Sequence, residues 1–177
     1  MLSSLAQYIE KTNRVIGHAV AWLTALMVVL TVTVVFLRYW FDLGWIWMQE
    51  SVTWAHAAVF MLAAAYTLAE DEHVRVDIFY RGMSAKGKAL VNAAGACLFL
   101  IPVAAVLLWY SIDYVSLSWR IGETSNEAGG LVYPFPSLMK SFIPLMSVLL
   151  ILQGLALLVR SLGIIRGGEQ EHQTDTP

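Results

Sequence analysis

The stretch VIGHAVAWLTALMVVLTVTVVFL, residues 15–37, runs for 23 positions without Asp, Glu, Lys or Arg. A helix of that length extends about 34 Å, which exceeds the hydrocarbon thickness of about 30 Å in a typical bilayer. The sequence therefore predicts a membrane-spanning helix here. The run is too long for the apolar part of a signal peptide, which has about 7–15 residues, and no small-residue cleavage site follows it.

Three further uncharged runs are each long enough to cross a bilayer, and they lie at residues 51–69, 89–112 and 141–159. A bilayer offers the backbone no hydrogen-bond partner outside its own helix. The sequence thus predicts an all-α integral membrane four-helix bundle, formed as a single domain by residues 1–166. The predicted spans cover residues 15–37, 46–69, 89–114 and 138–162, and the polar residues 167–177 predict a disordered tail.

The composition agrees with a membrane protein and argues against several kinds of function. The chain has 177 residues, of which 58% are hydrophobic and 14% are charged. A net charge of -2 without a basic patch argues against nucleic acid as a partner. The single Cys97 excludes a disulfide within the chain. The sequence contains no catalytic triad, nucleotide-binding loop or metal-ligand cluster, so neither an enzyme activity nor a cofactor is predicted.

Lys and Arg are divided unequally between the two sides of the predicted membrane. One side has eight of them, and the other has Arg38, Arg120 and Lys140. Because positive residues favour the cytoplasmic side, both termini and the loop at residues 70–88 are predicted to be cytoplasmic. The long loop at residues 116–139 is then outside, and we call it the outer loop.

The first residues of the chain leave two interpretations open. Leu2, Leu5, Ala6 and Ile9 recur at helical spacing between polar residues. This pattern fits either a short amphipathic helix on the cytoplasmic surface or an extension of the first span. Within the spans, small residues predict close contacts between helices, and they lie at Ala21 and Ala25, at residues 63–65 and 93–96, and at Gly154.

Three ionisable residues near or within the spans have competing interpretations. Glu50 is either the proton or cation site of a self-sufficient antiporter or an interfacial carboxylate near a helix N-terminus. Its place at the outer boundary favours the second interpretation. His18 and His56 could ligate a haem between two helices, but their different depths argue against a shared iron. A lone histidine on such a helix more often donates a hydrogen bond to a neighbouring helix.

Several motifs, taken in order, resemble the small membrane subunit (the Q subunit) of tripartite ATP-independent periplasmic, or TRAP, transporters. They are Arg38-Tyr39-Trp40-Phe41 with Trp47 and Glu50, His73-Val74-Arg75-Val76-Asp77, Gly122-Glu123-Thr124-Ser125, Pro134, Ile143-Pro144 and Gln153. The resemblance covers roughly residues 15–160. The chain departs from the family at Gln49, where a second acid often precedes the glutamate.

The resemblance implies a scaffold role in the sodium-coupled uptake of organic acids across a bacterial inner membrane. The implied partners are the large membrane subunit, a periplasmic substrate-binding protein and membrane lipids. By this analogy the partner or structural residues are Arg38, Trp47, Glu50, His73, Arg75, Asp77, Glu123, Ser125 and Pro144. The alternative is a haem-bearing or quinone-linked membrane anchor of an oxidoreductase.

Overall fold

The computed structural model describes residues 2–70, 80 and 82–174. Its helices are α1 (Leu2–Phe41), α2 (Ile46–Ala69), α3 (Ala85–Gly95), α4 (Ile101–Ile121) and α5 (Phe135–Thr174). A π-helical turn, Ala96–Leu100, joins α3 and α4 into one span. Over these residues the chain forms four spans that are long and apolar enough to cross a membrane, and it forms no strand. The predicted all-α, four-span class is confirmed.

The first helix begins earlier than the predicted span. α1 is continuous over 40 residues from Leu2, so its axis measures about 60 Å. Of the two interpretations of the N-terminus, the structure agrees with the second, in which the first residues extend the first span. No proline or glycine interrupts the chain before Gly17. Ala6 and Asn13 are buried, which places this segment against the bundle.

The last two spans are also longer than predicted. The third covers Ala85–Ile121, and α5 begins at Phe135, so the outer loop shortens to residues 122–134. α5 continues to Thr174, past the predicted boundary at residue 167. Glu and Gln at residues 169–171 and 173 favour a helix despite Gly167 and Gly168, whereas hydropathy registers only that the stretch is polar.

Prolines lie in two of the spans. The π-helical turn ends at Leu100, two residues before Pro102 in the third span. Proline has no N–H, and its ring crowds the carbonyl four residues earlier, which is that of Leu98. The wider turn accommodates the ring without ending the helix. Pro144 lies inside the continuous helix α5.

Helix α5 is the centre of the bundle, because it contacts α1, α2, α3 and α4. Its neighbours approach through small side chains, as expected of helices that associate in lipid. The buried small residues include Ala55, Ala58, Ala65, Ala104, Ser111, Ser147 and Ala156. At Gly154 an added Cβ would lie 3.0 Å from Cγ1 of Ile101. Ala21 and Ala25, in contrast, are exposed within this chain.

Different contacts hold the helices together at the two ends of the bundle. At the termini end, Arg14 pairs with Glu70 at 2.5 Å and Arg160 with Glu10 at 2.9 Å. At the other end, which we call the loop end, the 122–134 loop folds over the start of α2 and α5. The loop end contains most of the predicted site residues that the structure describes.

Candidate interaction site

The carboxylate of Glu50 anchors the 122–134 loop to α2. Glu50 lies one turn into the helix, and its Oε1 accepts a hydrogen bond from the Ser125 hydroxyl. Its Oε2 accepts one from the backbone N–H of Leu131 at 2.6 Å. The first turn of a helix also has N–H groups without intrahelical partners. One of them, the N–H of Trp47, donates to the carbonyl of Gly129 at 3.1 Å.

The loop closes on itself around the same serine. The Ser125 N–H donates to the Leu131 carbonyl at 2.8 Å, and the Glu127 N–H donates to Ser125 Oγ at 3.1 Å. Gly130 lies so close that an added Cβ would be 2.5 Å from Ser125 Oγ and 2.7 Å from Glu50 Oε2. A side chain at position 130 would therefore displace the Ser125 and Glu50 groups that form this contact.

A second acid ties the loop to the start of α5. Glu123 pairs with Lys140 at 2.5 and 2.8 Å, and its backbone N–H donates to the Ser118 carbonyl at 3.1 Å. The Lys140 ammonium also lies 4.2 Å from the centroid of the Tyr114 ring, a cation–π distance. The hydrogen bond from Lys140, helped by one from Ser118, lowers the pKa of Glu123 below its ordinary value of 4.5.

This lowered pKa predicts a pH-dependent contribution to stability. A carboxyl group whose pKa is depressed by folding stabilises the protein above its unfolded pKa, and the contribution is lost as pH falls through the folded pKa. We expect Glu123→Gln to lower the thermal midpoint of the purified protein near neutral pH. The gap between variant and wild type should then close as the pH falls below about 4.5.

The control for this titration is Glu127→Gln, because Glu127 lies in the same loop and is exposed. Its midpoint should follow that of the wild type throughout the pH range. A gap between Glu123→Gln and wild type that stays constant at every pH would contradict the prediction.

Aromatic and hydroxyl groups complete the packing of the loop end. The Trp54 indole N–H donates to the Phe135 carbonyl at 3.2 Å, and that of Trp119 donates to Ser141 Oγ at 3.0 Å. The hydroxyls of Ser118 and Ser137, both buried, lie 2.9 Å apart and join α4 to α5. The start of α2, the loop and the start of α5 are therefore held as one unit.

The structure brings together part of the predicted site. Glu50, Glu123 and Ser125 line one cavity of about 270 Å³ between the loop, α2 and α5. Trp47 joins them through its backbone, while its side chain is 46% exposed. Arg38 lies apart on the exposed end of α1, and Pro144 lies within α5. His73, Arg75 and Asp77 lie outside the described residues.

Three residues of the site were not predicted, namely Gly130, Leu131 and Lys140 as the partner of Glu123. The adjacent glycines 129 and 130 were a signal of a tight backbone approach, and Gly129 has a positive φ of 81°. Leu131 contributes a backbone N–H, which no side-chain pattern reveals.

The two histidines considered as haem ligands have different surroundings. His18 Nδ1 lies 2.7 Å from the Arg14 carbonyl, as in a hydrogen bond, and its ring meets that of Tyr66 edge to face at 5.3 Å between centroids. His56 is exposed on α2. In the part of the chain that the structure describes, no three His, Cys, Asp or Glu side chains are grouped to hold a metal ion.

These features define a multi-pass membrane protein in which ion pairs join the helices and two acidic side chains anchor one loop. Residues 27–163 match the DctQ component of the tripartite ATP-independent periplasmic transporters, and the chain belongs to this family. It is thus the small membrane subunit of a TRAP transporter, as the motifs predicted. No curated protein and no solved structure matches the chain.

Proposed function

We propose that this chain is a scaffold subunit of a sodium-coupled TRAP transporter that takes up organic acids across the bacterial inner membrane. Both termini are cytoplasmic. The chain binds the large membrane subunit, which carries the solute, and its 122–134 loop helps dock the periplasmic substrate-binding protein. Three things support this function: the family membership, the charge distribution that predicts the orientation, and the contacts that hold the 122–134 loop.

The main support for this function comes from the contacts that the charged side chains make. Glu50, Glu123 and Lys140 fasten the loop, and the two ion pairs of the termini end join α1 to α2 and α5. A carrier instead buries several such groups near the middle of the membrane. Both oxygens of Glu50 already accept hydrogen bonds. This supports an anchoring role for Glu50 over that of a proton or cation carrier.

Broad apolar faces support a role beside a larger membrane protein. Trp22 on α1 is 78% exposed, and Phe99 and Trp109 on the third span are 70% and 75% exposed. Such faces need either lipid or another membrane protein to cover them. The chain alone encloses little of its own apolar surface, since no residue in the most apolar stretch of α1 is buried.

The test is co-expression of this chain, tagged, with the large membrane subunit of the same transporter. We expect the two to elute as one complex and uptake to fall to background when this chain is deleted. We also expect Glu50→Gln to keep the large subunit but to bind the periplasmic protein about tenfold more weakly, since the amide retains at most one of two charge-assisted hydrogen bonds.

Two controls separate the parts of this test. Gln7→Leu changes an exposed residue of α1 at the termini end and should leave docking unchanged. Backbone amide exchange of residues 125–131 should rise in Glu50→Gln, which reports the loop directly. Purification of this chain alone together with undiminished uptake after its deletion would refute the scaffold role.

A further inference from the structure

We infer that one face of α2, which we call the α2 stripe, is the surface that contacts the large membrane subunit. The stripe consists of Ile46, Gln49, Thr53, His56 and Phe60. Its occupant is a helix of the large subunit that offers a hydrogen-bonding side chain at the depth of His56. This inference rests on the proposed function and names the face through which the complex forms.

The α2 stripe is the narrow exposed part of its helix. Its members recur at intervals of three and four residues, so they lie on one face. All of them are exposed, with Phe60 at 72%, while the other residues of α2 after Trp47 are buried or half-buried. Helix α1 and helix α5 pack against the remaining surface. The stripe is therefore the side of α2 that this chain leaves uncovered.

The stripe contains a polar side chain, that of His56, at a depth where lipid offers no hydrogen bonds. His56 lies about 15 Å from the loop end of α2 and about 9 Å beyond Glu50, which places it inside a hydrocarbon core of about 30 Å. His56 has no hydrogen bond within the described residues, and α2 is the least apolar of the four spans. An imidazole exposed to acyl chains is unfavourable, so polar residues at this depth normally face protein or water.

Helix α1 exposes a more apolar surface at the same distance from the loop end. Val32 lies about 14 Å from the loop end of its helix and is 62% exposed, and Val28 is 63% exposed. The neighbouring hydroxyl of Thr33 is satisfied by the Val29 carbonyl at 2.7 Å. At the depth where α1 presents valines, α2 presents His56. This difference selects the α2 stripe as the protein-facing side.

The first experiment places a photo-reactive amino acid at position 56 or 32 in the complex with the large subunit. We expect cross-linking to the large subunit from position 56 and none above background from position 32. Capture of a second copy of this chain, or of lipid alone, from position 56 in an intact complex would overturn the inference. That result would leave the scaffold role standing, whereas failure to isolate any complex would count against the proposed function itself.

The second experiment uses His56→Leu, which should act in opposite directions on the two states of the protein. The isolated chain in detergent should keep or raise its thermal midpoint, because an unsatisfied polar group is removed. The complex should dissociate about three- to tenfold more readily, the range expected for one hydrogen bond between membrane helices. Val32→Leu is the matched control and should change neither value. Equal complex stability in His56→Leu and Val32→Leu would overturn the inference.

Discussion

Gly17→Ala is expected to lower the thermal midpoint of the purified protein by several degrees and to reduce the yield of folded material. An alanine Cβ at this position would lie 2.3 Å from Cγ, 2.6 Å from Cβ and 2.7 Å from Cδ1 of Tyr66. The Cβ of Tyr66 is fixed to its helix, so rotation of the ring cannot relieve the contact. Helices α1 and α2 must separate instead.

Overpacking of this kind typically costs about 1–3 kcal/mol. In a chain of this size each kcal/mol shifts the midpoint by roughly 2–4 °C. The measurement is thermal unfolding in detergent, followed by circular dichroism or by loss of the monodisperse peak in gel filtration. The separation of α1 from α2 would also loosen the edge-to-face contact between His18 and Tyr66.

Gly163→Ala is the matched control, because an added Cβ there meets nothing within 4 Å. This substitution lies within α5 and should be neutral or slightly stabilising, since alanine favours helix more than glycine does. In a Tyr66→Gly background, which removes the opposing Cβ, the cost of Gly17→Ala should shrink. Equal midpoints for the Gly17 and Gly163 variants would show that α1 and α2 are not closely packed at this point.

Hydropathy was sufficient to predict the number and class of the helices, because a bilayer imposes length and apolarity on each span separately. It placed the helix ends poorly. The segment before Val15 and the segment after residue 167 are polar, so neither registers as a span, yet α1 and α5 continue through both. The start of α1 packs against the bundle through Ala6 and Asn13, and a search for apolar runs does not detect such packing.

Part of the site was predictable, because the motifs that contain Glu50, Glu123 and Ser125 are local in sequence. Their pairing was not, since Ser125 and Glu50 are separated by 75 positions and meet only after the bundle forms. The small-residue pattern of α1 pointed to Ala21 and Ala25, which are exposed. A regular alanine spacing fits either face of a helix, so the rotation of α1 could not be predicted from it.

Gln153→Leu is expected to destabilise the protein because it leaves the buried side chain of Asn13 without its hydrogen-bond acceptor. Gln153 Oε1 accepts a hydrogen bond from Asn13 Nδ2 at 2.8 Å, and both residues are 2% exposed. Loss of the acceptor leaves a buried amide unpaired between α1 and α5, a change that typically costs about 1–3 kcal/mol. We expect the thermal midpoint in detergent to fall by several degrees.

The double variant Asn13→Leu with Gln153→Leu separates this hydrogen bond from simple packing. Replacement of both partners removes the unpaired amide, so the double variant should be more stable than the sum of the two single changes predicts. Gln7→Leu on an exposed position of α1 is the control for added hydrophobicity and should be nearly neutral. Strict additivity of the two buried changes would mean that the pair contributes no specific contact. A positive coupling would show that the Asn13–Gln153 hydrogen bond contributes to the packing of α1 against α5.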